Sequence, residues 1–148
     1  VICAYLEKKH PTPALYPSDA YDFSRALWFE EYADTALLNA GISVFQERVL
    51  AKRFFNREPD EAKVTEAIEK GLPGVSDYLE EQLGDADYLV GNRFGLADIA
   101  IASPMVNFAH GGWSPDAGRH PKLAAYVERI HSRPSFKQQI AEDGAMLG

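Results

Sequence analysis

The sequence predicts an all-α protein, a bundle of five to seven helices, on three observations. Apolar residues recur every three or four positions along most of the chain, which is the period of an amphipathic helix. No segment shows the two-residue alternation that is typical of a strand. Clusters of Pro and Gly separate the helical segments, so each helix has a natural start and end.

The composition is that of one globular domain without nucleic-acid or membrane partners. The chain has 148 residues, of which 46% are hydrophobic and 25% charged, and its net charge is −7. Phosphate binding requires a basic patch, which this balance argues against. No apolar run approaches the ~20 residues that span a bilayer. Cys3 is the only cysteine of the sequence, so an internal disulfide is excluded, and we interpret Cys3 as a small buried residue. From these features together we expect a soluble cytoplasmic protein.

The first helix, "VICAYLEKK", begins without a visible cap residue, which suggests a fragment whose upstream part is missing. Prolines at 11, 13 and 17 then exclude a helix and favour an extended connector. We therefore divide the chain into residues 1–17, a terminal helix with a Pro-rich linker, and residues 18–148, an all-helical domain.

A long helix follows the linker, with Ser18 or Asp19 as its N-cap and Gly41 as its expected C-cap. Its apolar residues form two stripes, and one bundle core can bury only one of them. The second stripe is rich in Trp and Tyr, the residue types favoured at interfaces, and predicts a homodimer. The first stripe consists of Phe23, Leu27, Ala33 and Leu37, and the second of Tyr21, Trp28, Tyr32 and Thr35.

Asp98 lies among apolar residues in "FGLADIAIA", where it is either a catalytic carboxylate or a helix cap. With Gly95 as N-cap, Asp98 occupies the third helical position, from which its side chain reaches back to the backbone N–H of the cap. Phe94 and Ile99 then occupy the two positions of a hydrophobic staple. The helix dipole also favours a negative charge there. We interpret Gly95 and Asp98 as a structural helix cap.

Metal chemistry has no support in the sequence. The four histidines, at 10, 110, 120 and 131, do not pair at spacings of three or four residues, which would place two ligands on one helix face. We therefore predict no metal site.

Four stretches, in the same order along the chain, resemble cytosolic glutathione transferases and cover essentially all of it. "VICAYLEKKHPTPALYP" is similar to the last helix of the thioredoxin-like domain and the following linker, and "RALWFEEYADTAL" to the first long helix of the C-terminal domain. "DYLVGNRFGLADIAIA" resembles the capping box of that domain, although the family usually has Ser or Thr in place of Gly95. "HPKLAAYVERIHSRPSFKQ" resembles its penultimate helix.

The resemblance implies that the full-length chain is an enzyme that conjugates glutathione, as a substrate, to a small hydrophobic electrophile. The residue that activates the thiol would lie upstream of Val1, so we expect no catalytic residue here and no activity from the 148 residues alone. The alternative is a non-catalytic, transferase-like interaction module.

The resemblance also assigns roles to five positions. Asp34 is similar to an acidic residue that reaches across the dimer to the α-amino group of glutathione, although a solvent-facing helix Asp is the alternative. Four others are similar to residues that line the cosubstrate pocket: Thr35, Leu38, Asn107 and His110. For Asn107 and His110, which match pocket positions in some bacterial relatives, a core or surface role is the alternative.

Overall fold

A computed structural model describes residues 1–147 and contains no strand within them. Six helical runs make up this part of the chain, and the all-α prediction is confirmed. Two of the runs contain π-helical turns, which divide them into shorter α-helices. The elements are α1 (Ile2–Lys9); α2 (Ala20–Tyr32), α3 (Leu38–Phe45) and α4 (Ala51–Phe55), joined by π-turns Ala33–Leu37 and Gln46–Leu50; α5 (Glu61–Glu66) and α6 (Leu72–Leu83), joined by π-turn Ala67–Gly71; α7 (Leu96–His110); α8 (Pro121–His131); and α9 (Pro134–Leu147). The last residue of the predicted domain, Gly148, lies outside the described residues.

The long helix begins where the sequence predicts but does not end at Gly41. Asp19 is its N-cap, and its carboxylate accepts the N–H groups of Tyr21 and Asp22 at 2.9 and 3.0 Å. The helix then continues through α3 and α4 to Asn56, whose left-handed backbone (φ 47°) closes it. The expectation of a C-cap at Gly41 is therefore wrong.

Gly41 serves close packing instead. A Cβ atom at this position would lie 2.7 Å from the ring of Phe108 in α7 and 2.9 Å from Leu72 in α6. Gly71 has the same function in the neighbouring run, where a Cβ would approach the carbonyl oxygen of Ala40 to 2.6 Å. Glycine is therefore needed where the long helix meets its neighbours, because any side chain would push these helices apart.

The core surrounds α7, which contacts α2, α3 and α8. The predicted inner stripe of the long helix is only half correct, because Phe23 and Leu27 are 40% and 42% exposed. Starting one turn after the first residue of the predicted stripe, the buried positions recur every three or four residues. The helical period, rather than side-chain size, therefore determines which face of the helix enters the core. The residues of this helix that enter the core are Ala26, Phe29, Ala33, Leu37 and Val44.

The run from α5 to α6 is continuous, although Gly71 and Pro73 interrupt its sequence pattern. Its π-turn lies just before Pro73, which has no N–H to donate, so the wider turn falls where the helical hydrogen-bond ladder is interrupted. The final helix, α9, begins at Pro134 and has 14 residues.

The first helix and the linker rest on the surface of the bundle. No residue of α1 is buried, and Cys3 is exposed, so the expectation that it is buried is wrong. Glu7 of α1 accepts the N–H of Leu15 at 3.1 Å, and the carbonyl of Leu15 accepts the N–H of Leu96 at 3.0 Å. Arg93 donates to the carbonyl of Tyr16 at 2.8 Å. The linker is thus bonded on one side to α1 and on the other to the start of α7.

Candidate functional site

Asp98 joins three segments of the chain at the N-terminus of α7. Its side chain is buried, and one oxygen, Oδ2, accepts the N–H of Gly95 at 2.8 Å. The other oxygen, Oδ1, accepts the N–H of Leu89 at 3.0 Å and the hydroxyl of Tyr126 at 2.9 Å. Sequence reasoning missed Leu89 and Tyr126, because nothing local relates a loop residue and an α8 residue to this carboxylate. The carboxylate therefore links the preceding loop, α7 and α8.

The surroundings of Asp98 leave no room for a substrate. Burial raises the pKa of its carboxyl, and the hydrogen bonds from Leu89, Gly95 and Tyr126 only partly oppose that effect. Burial and the nearby Asp98 charge also raise the pKa of the Tyr126 hydroxyl. A cavity that Asp98 helps to line has a volume of about 10 Å³, at the lower limit for a single water molecule. This geometry suits a structural junction.

Gly95 brings the linker against this junction. A Cβ at Gly95 would lie 2.8 Å from the carbonyl oxygen of Leu15. The backbone of Gly95 is extended (φ −152°), a conformation that any residue adopts, so space is the constraint. The absence of a side chain lets Leu15 reach the first N–H of α7, which would otherwise lack a partner.

Three of the predicted ligand-binding residues lie on the outer side of the long helix. Asp34 and Thr35 are exposed and Leu38 is half-buried, whereas their neighbours in the core face the other way. The hydroxyl of Thr35 donates to the carbonyl of Glu31 at 2.6 Å, within the helix. The roles of Asp34, Thr35 and Leu38 stay predictions.

Asn107 lines a groove between α7 and α9, which we call the apolar groove. Its volume is about 480 Å³, within the usual range for a small-molecule site. Polar atoms enter it from Ser103, Asn107, Gln139 and Asp143. Most of the remaining wall is apolar and includes Phe94, Ile99, Val106, Phe136 and Ile140.

His110 lies one helical turn after Asn107 and lines a second cavity, which we call the cationic cleft. Its volume is about 520 Å³. The Nε2 atom of His110 is buried without a hydrogen-bond partner among residues 1–147. The lining residues are Arg48, Val49, Lys52, Arg53, His110, Gly144 and Leu147. Asn107 and His110 thus lie on one side of the bundle, while Thr35 and Leu38 line neither cavity.

An aromatic face covers the outer side of α2 and the adjoining surface of α6; it consists of Tyr21, Trp28, Tyr32 and Tyr78. Trp28 is 53% exposed, and its indole N–H donates to the hydroxyl of Tyr78 at 2.9 Å. The ring centroids of Tyr32 and Tyr78 are 4.7 Å apart. Tyr32 and Tyr78 are half-buried against the core, whereas Tyr21 and Trp28 are exposed.

Two kinds of feature are absent from the described residues, 1–147. These residues contain no group of three or more His, Cys, Asp or Glu side chains placed to hold a metal ion. None of their helices combines the length and apolar character needed to cross a membrane.

The structure is a helical bundle around a central helix, which has an aspartate at its third position and is bonded to the connector. Together these features define a domain of the glutathione transferase type. The family profile described as "Glutathione S-transferase, C-terminal domain" matches residues 45–143. The chain belongs to this family.

Several known proteins are similar to the chain. It is 30% identical to glutathione S-transferase Z2 of Arabidopsis thaliana, across 95% of the chain and 61% of that protein. A crystal structure of a glutathione S-transferase from Methylobacterium radiotolerans, in complex with glutathione sulfonate, is 32% identical, with a TM-score of 0.68 over 94% of the chain and 63% of that protein. A stringent starvation protein A homolog of Haemophilus influenzae is 25% identical over 96% of the chain and 61% of that protein. The chain thus spans about three fifths of the length of these relatives.

Proposed function

We propose that the full-length protein is a glutathione transferase that conjugates glutathione to a small hydrophobic electrophile. The observation that carries this proposal is the apolar groove on a chain of this family, because such a wall holds an uncharged electrophile. The related structure with glutathione sulfonate supports glutathione as the second substrate. We place the protein in the cytoplasm, where the exposed thiol of Cys3 stays reduced.

The contribution of this domain would be binding and orientation. In the reaction the thiolate of glutathione attacks the electrophilic carbon and forms an S–C bond. The electron pair displaced from that carbon departs with a leaving group or, when the electrophile is a double bond, moves to its other atom, which then takes a proton. Holding the electrophile against a fixed wall replaces a bimolecular encounter with attack in a set geometry. We assign no catalytic residue and no metal to residues 1–148 and expect the chain alone to be inactive.

Glutathione binding by the full-length protein tests the proposal directly. Isothermal titration should show saturable binding, and a chloronitroaromatic electrophile should be consumed only when glutathione is present. The rival is a non-catalytic interaction module; one relative, the stringent starvation protein A homolog, has a name that states no transferase activity. A folded full-length protein that binds no glutathione would support that rival and reject the transferase.

Asp34 is our candidate for the glutathione ammonium group. It is exposed and makes no ion pair within residues 1–147, so its carboxylate is accessible to a positive group of a ligand. Asp34→Asn should raise the KM for glutathione about tenfold with little change in kcat, as expected for the loss of one charge-assisted contact. Glu31→Gln, which neutralises an exposed carboxylate on the adjacent turn, is the matched control. Equal KM values for both variants would refute the assignment.

We propose that the full-length protein is a homodimer and that the aromatic face forms the contact. Tyr21 and Trp28 are exposed and Tyr32 and Tyr78 are half-buried, and Trp and Tyr are residue types that interface cores favour. Arg25, which lies between Tyr21 and Trp28 along α2, donates to Gln82 at 2.8 Å within the chain. Sedimentation should give a dimer that Trp28→Glu shifts toward monomer, whereas Phe54→Glu, at another exposed aromatic residue, should not. A monomeric wild type at micromolar concentration would contradict the proposal.

A further inference from the structure

We propose that Thr35 is a positioning residue, which holds the first π-turn (Ala33–Leu37) and through that turn places the carboxylate of Asp34. This role rests on the proposed function, because Asp34 has a task only when a positive group of glutathione binds to it. It replaces the contact with the cosubstrate that the resemblance implies for Thr35 by a task inside the helix. The two roles predict changes in the KM of different substrates.

The first π-turn departs from the α-helical pattern at Asp34. The N–H of Leu38 bonds to the carbonyl of Ala33, five residues earlier, and to that of Thr35, three residues earlier. The regular acceptor in an α-helix, four residues earlier, would be Asp34. Such a wider turn is uncommon within an α-helix and occurs often at functional sites. The irregularity therefore falls at the residue that we assign to the glutathione ammonium group.

The wider turn keeps the inner face of the long helix in register. In a regular α-helix, with about 3.6 residues per turn, positions four residues apart drift by about 40° around the axis, so three such steps would drift by about 120°. Four positions at this spacing nevertheless stay buried: Phe29, Ala33, Leu37 and Gly41. Each of Glu30, Asp34 and Leu38 directly follows a buried position, so these three residues share one side of the helix.

The hydroxyl of Thr35 spans the start of this turn. It donates to the carbonyl of Glu31, four residues earlier, at 2.6 Å. Ser103 makes the same kind of bond to Ile99 at 2.7 Å in α7, which is α-helical throughout, so the bond alone does not widen a helix. In the long helix the bond ties the π-turn to the last turn of α2 and fixes the rotamer of Thr35. The only proton of this hydroxyl is then engaged within the helix.

Asp34 depends on the turn because no other group holds its side chain. Among the described residues, 1–147, none forms a hydrogen bond or an ion pair with its exposed carboxylate. Glu30, one turn earlier, differs, because its carboxylate accepts the hydroxyl of Tyr16 at 2.6 Å and is held by the linker. Of these two acids only Asp34 is available to a ligand, and the backbone that carries it sets its place. A misplacement of about 1 Å in such a group carries a large functional cost.

Kinetics of the full-length protein with glutathione and a chlorodinitrobenzene electrophile test this role. Thr35→Val removes the hydroxyl and keeps the shape of the side chain. The KM for glutathione should rise about threefold, less than in Asp34→Asn because the carboxylate is displaced rather than removed. The kcat and the KM for the electrophile should stay unchanged. Thr35→Ser, which keeps the hydroxyl, should restore the KM, and Thr65→Val, the same change at an exposed position of α5, should have no effect.

A double-mutant cycle separates positioning from direct contact. If Thr35 acts through Asp34, Thr35→Val should add nothing to the KM of Asp34→Asn, since the carboxylate that it places is already neutralised. Two effects that multiply would show that Thr35 acts elsewhere and would overturn the inference. A raised KM for the electrophile would assign Thr35 to the cosubstrate pocket, and a shift of Thr35→Val toward monomer in sedimentation would assign it to the dimer contact. Either result also overturns the inference.

Amide hydrogen exchange supplies a measurement that needs no substrate. In Thr35→Val the N–H of Leu38, which closes the π-turn, should exchange faster than in the wild type, with an unchanged melting temperature. Equal exchange at Leu38 would show that the hydroxyl does not hold the turn. A wild type that conjugates glutathione, with the same KM in Thr35→Val, would retain the transferase and reject the inference. A folded wild type that binds no glutathione would reject the transferase, and the inference with it.

Discussion

Two buried carboxylates, Asp98 and Glu47, show how the charge of a partner decides the direction in which the pKa of a buried acid shifts. They are 1% and 4% exposed. Asp98 receives hydrogen bonds only from neutral groups, two backbone N–H groups and a tyrosine hydroxyl, and burial raises its pKa. Glu47 is bonded by the guanidinium of Arg57, which with the N–H of Asp60 lowers its pKa to about 2. Burial alone therefore does not predict whether the pKa of a carboxyl is raised or lowered.

The two sites also have different structural tasks. Asp98 lies at the N-terminus of the central helix and connects a loop, α7 and α8. Glu47 lies in the second π-turn of the long helix and holds the connection to α5, through Arg57 and Asp60 at the two ends of that connection. Loss of the first should affect the whole fold, whereas loss of the second should loosen one loop.

The largest effect is expected from Asp98→Ala. The substitution leaves the N–H groups of Leu89 and Gly95 and the hydroxyl of Tyr126 without an acceptor, and should lower the free energy of unfolding by about 2–4 kcal/mol. Urea denaturation measures the loss. Asp87→Ala, at an exposed loop carboxylate, is the control and should cost less than about 1 kcal/mol. A loss at Asp98 no larger than the control would show that the junction does not stabilise the fold.

A smaller effect, with a distinct pH dependence, is expected from Glu47→Gln. Because the folded pKa of Glu47 lies below its ordinary value of 4.5, its stabilisation is complete above about pH 4.5 and disappears as the pH falls toward about 2. Glu47→Gln should therefore flatten the acid limb of the stability curve. Asp98→Asn should steepen it, since a raised folded pKa makes the protein bind a proton more tightly than the unfolded chain does. Parallel acid limbs in both variants would contradict the comparison.

The smallest effects separate two glycines. Gly95→Ala should destabilise the protein by about 1 kcal/mol or more, because its Cβ would lie 2.8 Å from the carbonyl oxygen of Leu15. Gly74→Ala in α6 should stabilise it by about 0.4–1 kcal/mol, since no atom lies within 4 Å of the added Cβ and alanine favours helix. Thermal denaturation of both variants provides the comparison. Shifts of the same sign would show that the contact with Leu15 is easily relaxed.

What the sequence could predict depends on the distance along the chain between the interacting residues. The fold class and the positions of Asp19 and Asp98 near helix starts follow from patterns within four residues. The donors Leu89 and Tyr126, nine and 28 residues from Asp98, carry no local signal. Glu47 has the appearance of an ordinary helix surface residue, because its main partner Arg57 lies ten residues away across a loop.

Gly41 and the cationic cleft show two further limits. A glycine after an apolar stretch resembles a C-cap, and only the approach of Phe108 reveals that it serves packing. Arg48 and Lys52 are four residues apart and share a helix face, which was the available signal for the cleft. His110 completes that cleft from a helix that the sequence does not place beside them.

The bond between Leu96 and Leu15 makes the linker a mechanical part of the central helix. The first N–H of a helix normally points to solvent, but here its acceptor belongs to the connector. The connector therefore cannot lift from the bundle without uncapping α7. A force applied at α1 would therefore pass through Glu7 to Leu15, and from Leu15 to the N-terminus of α7.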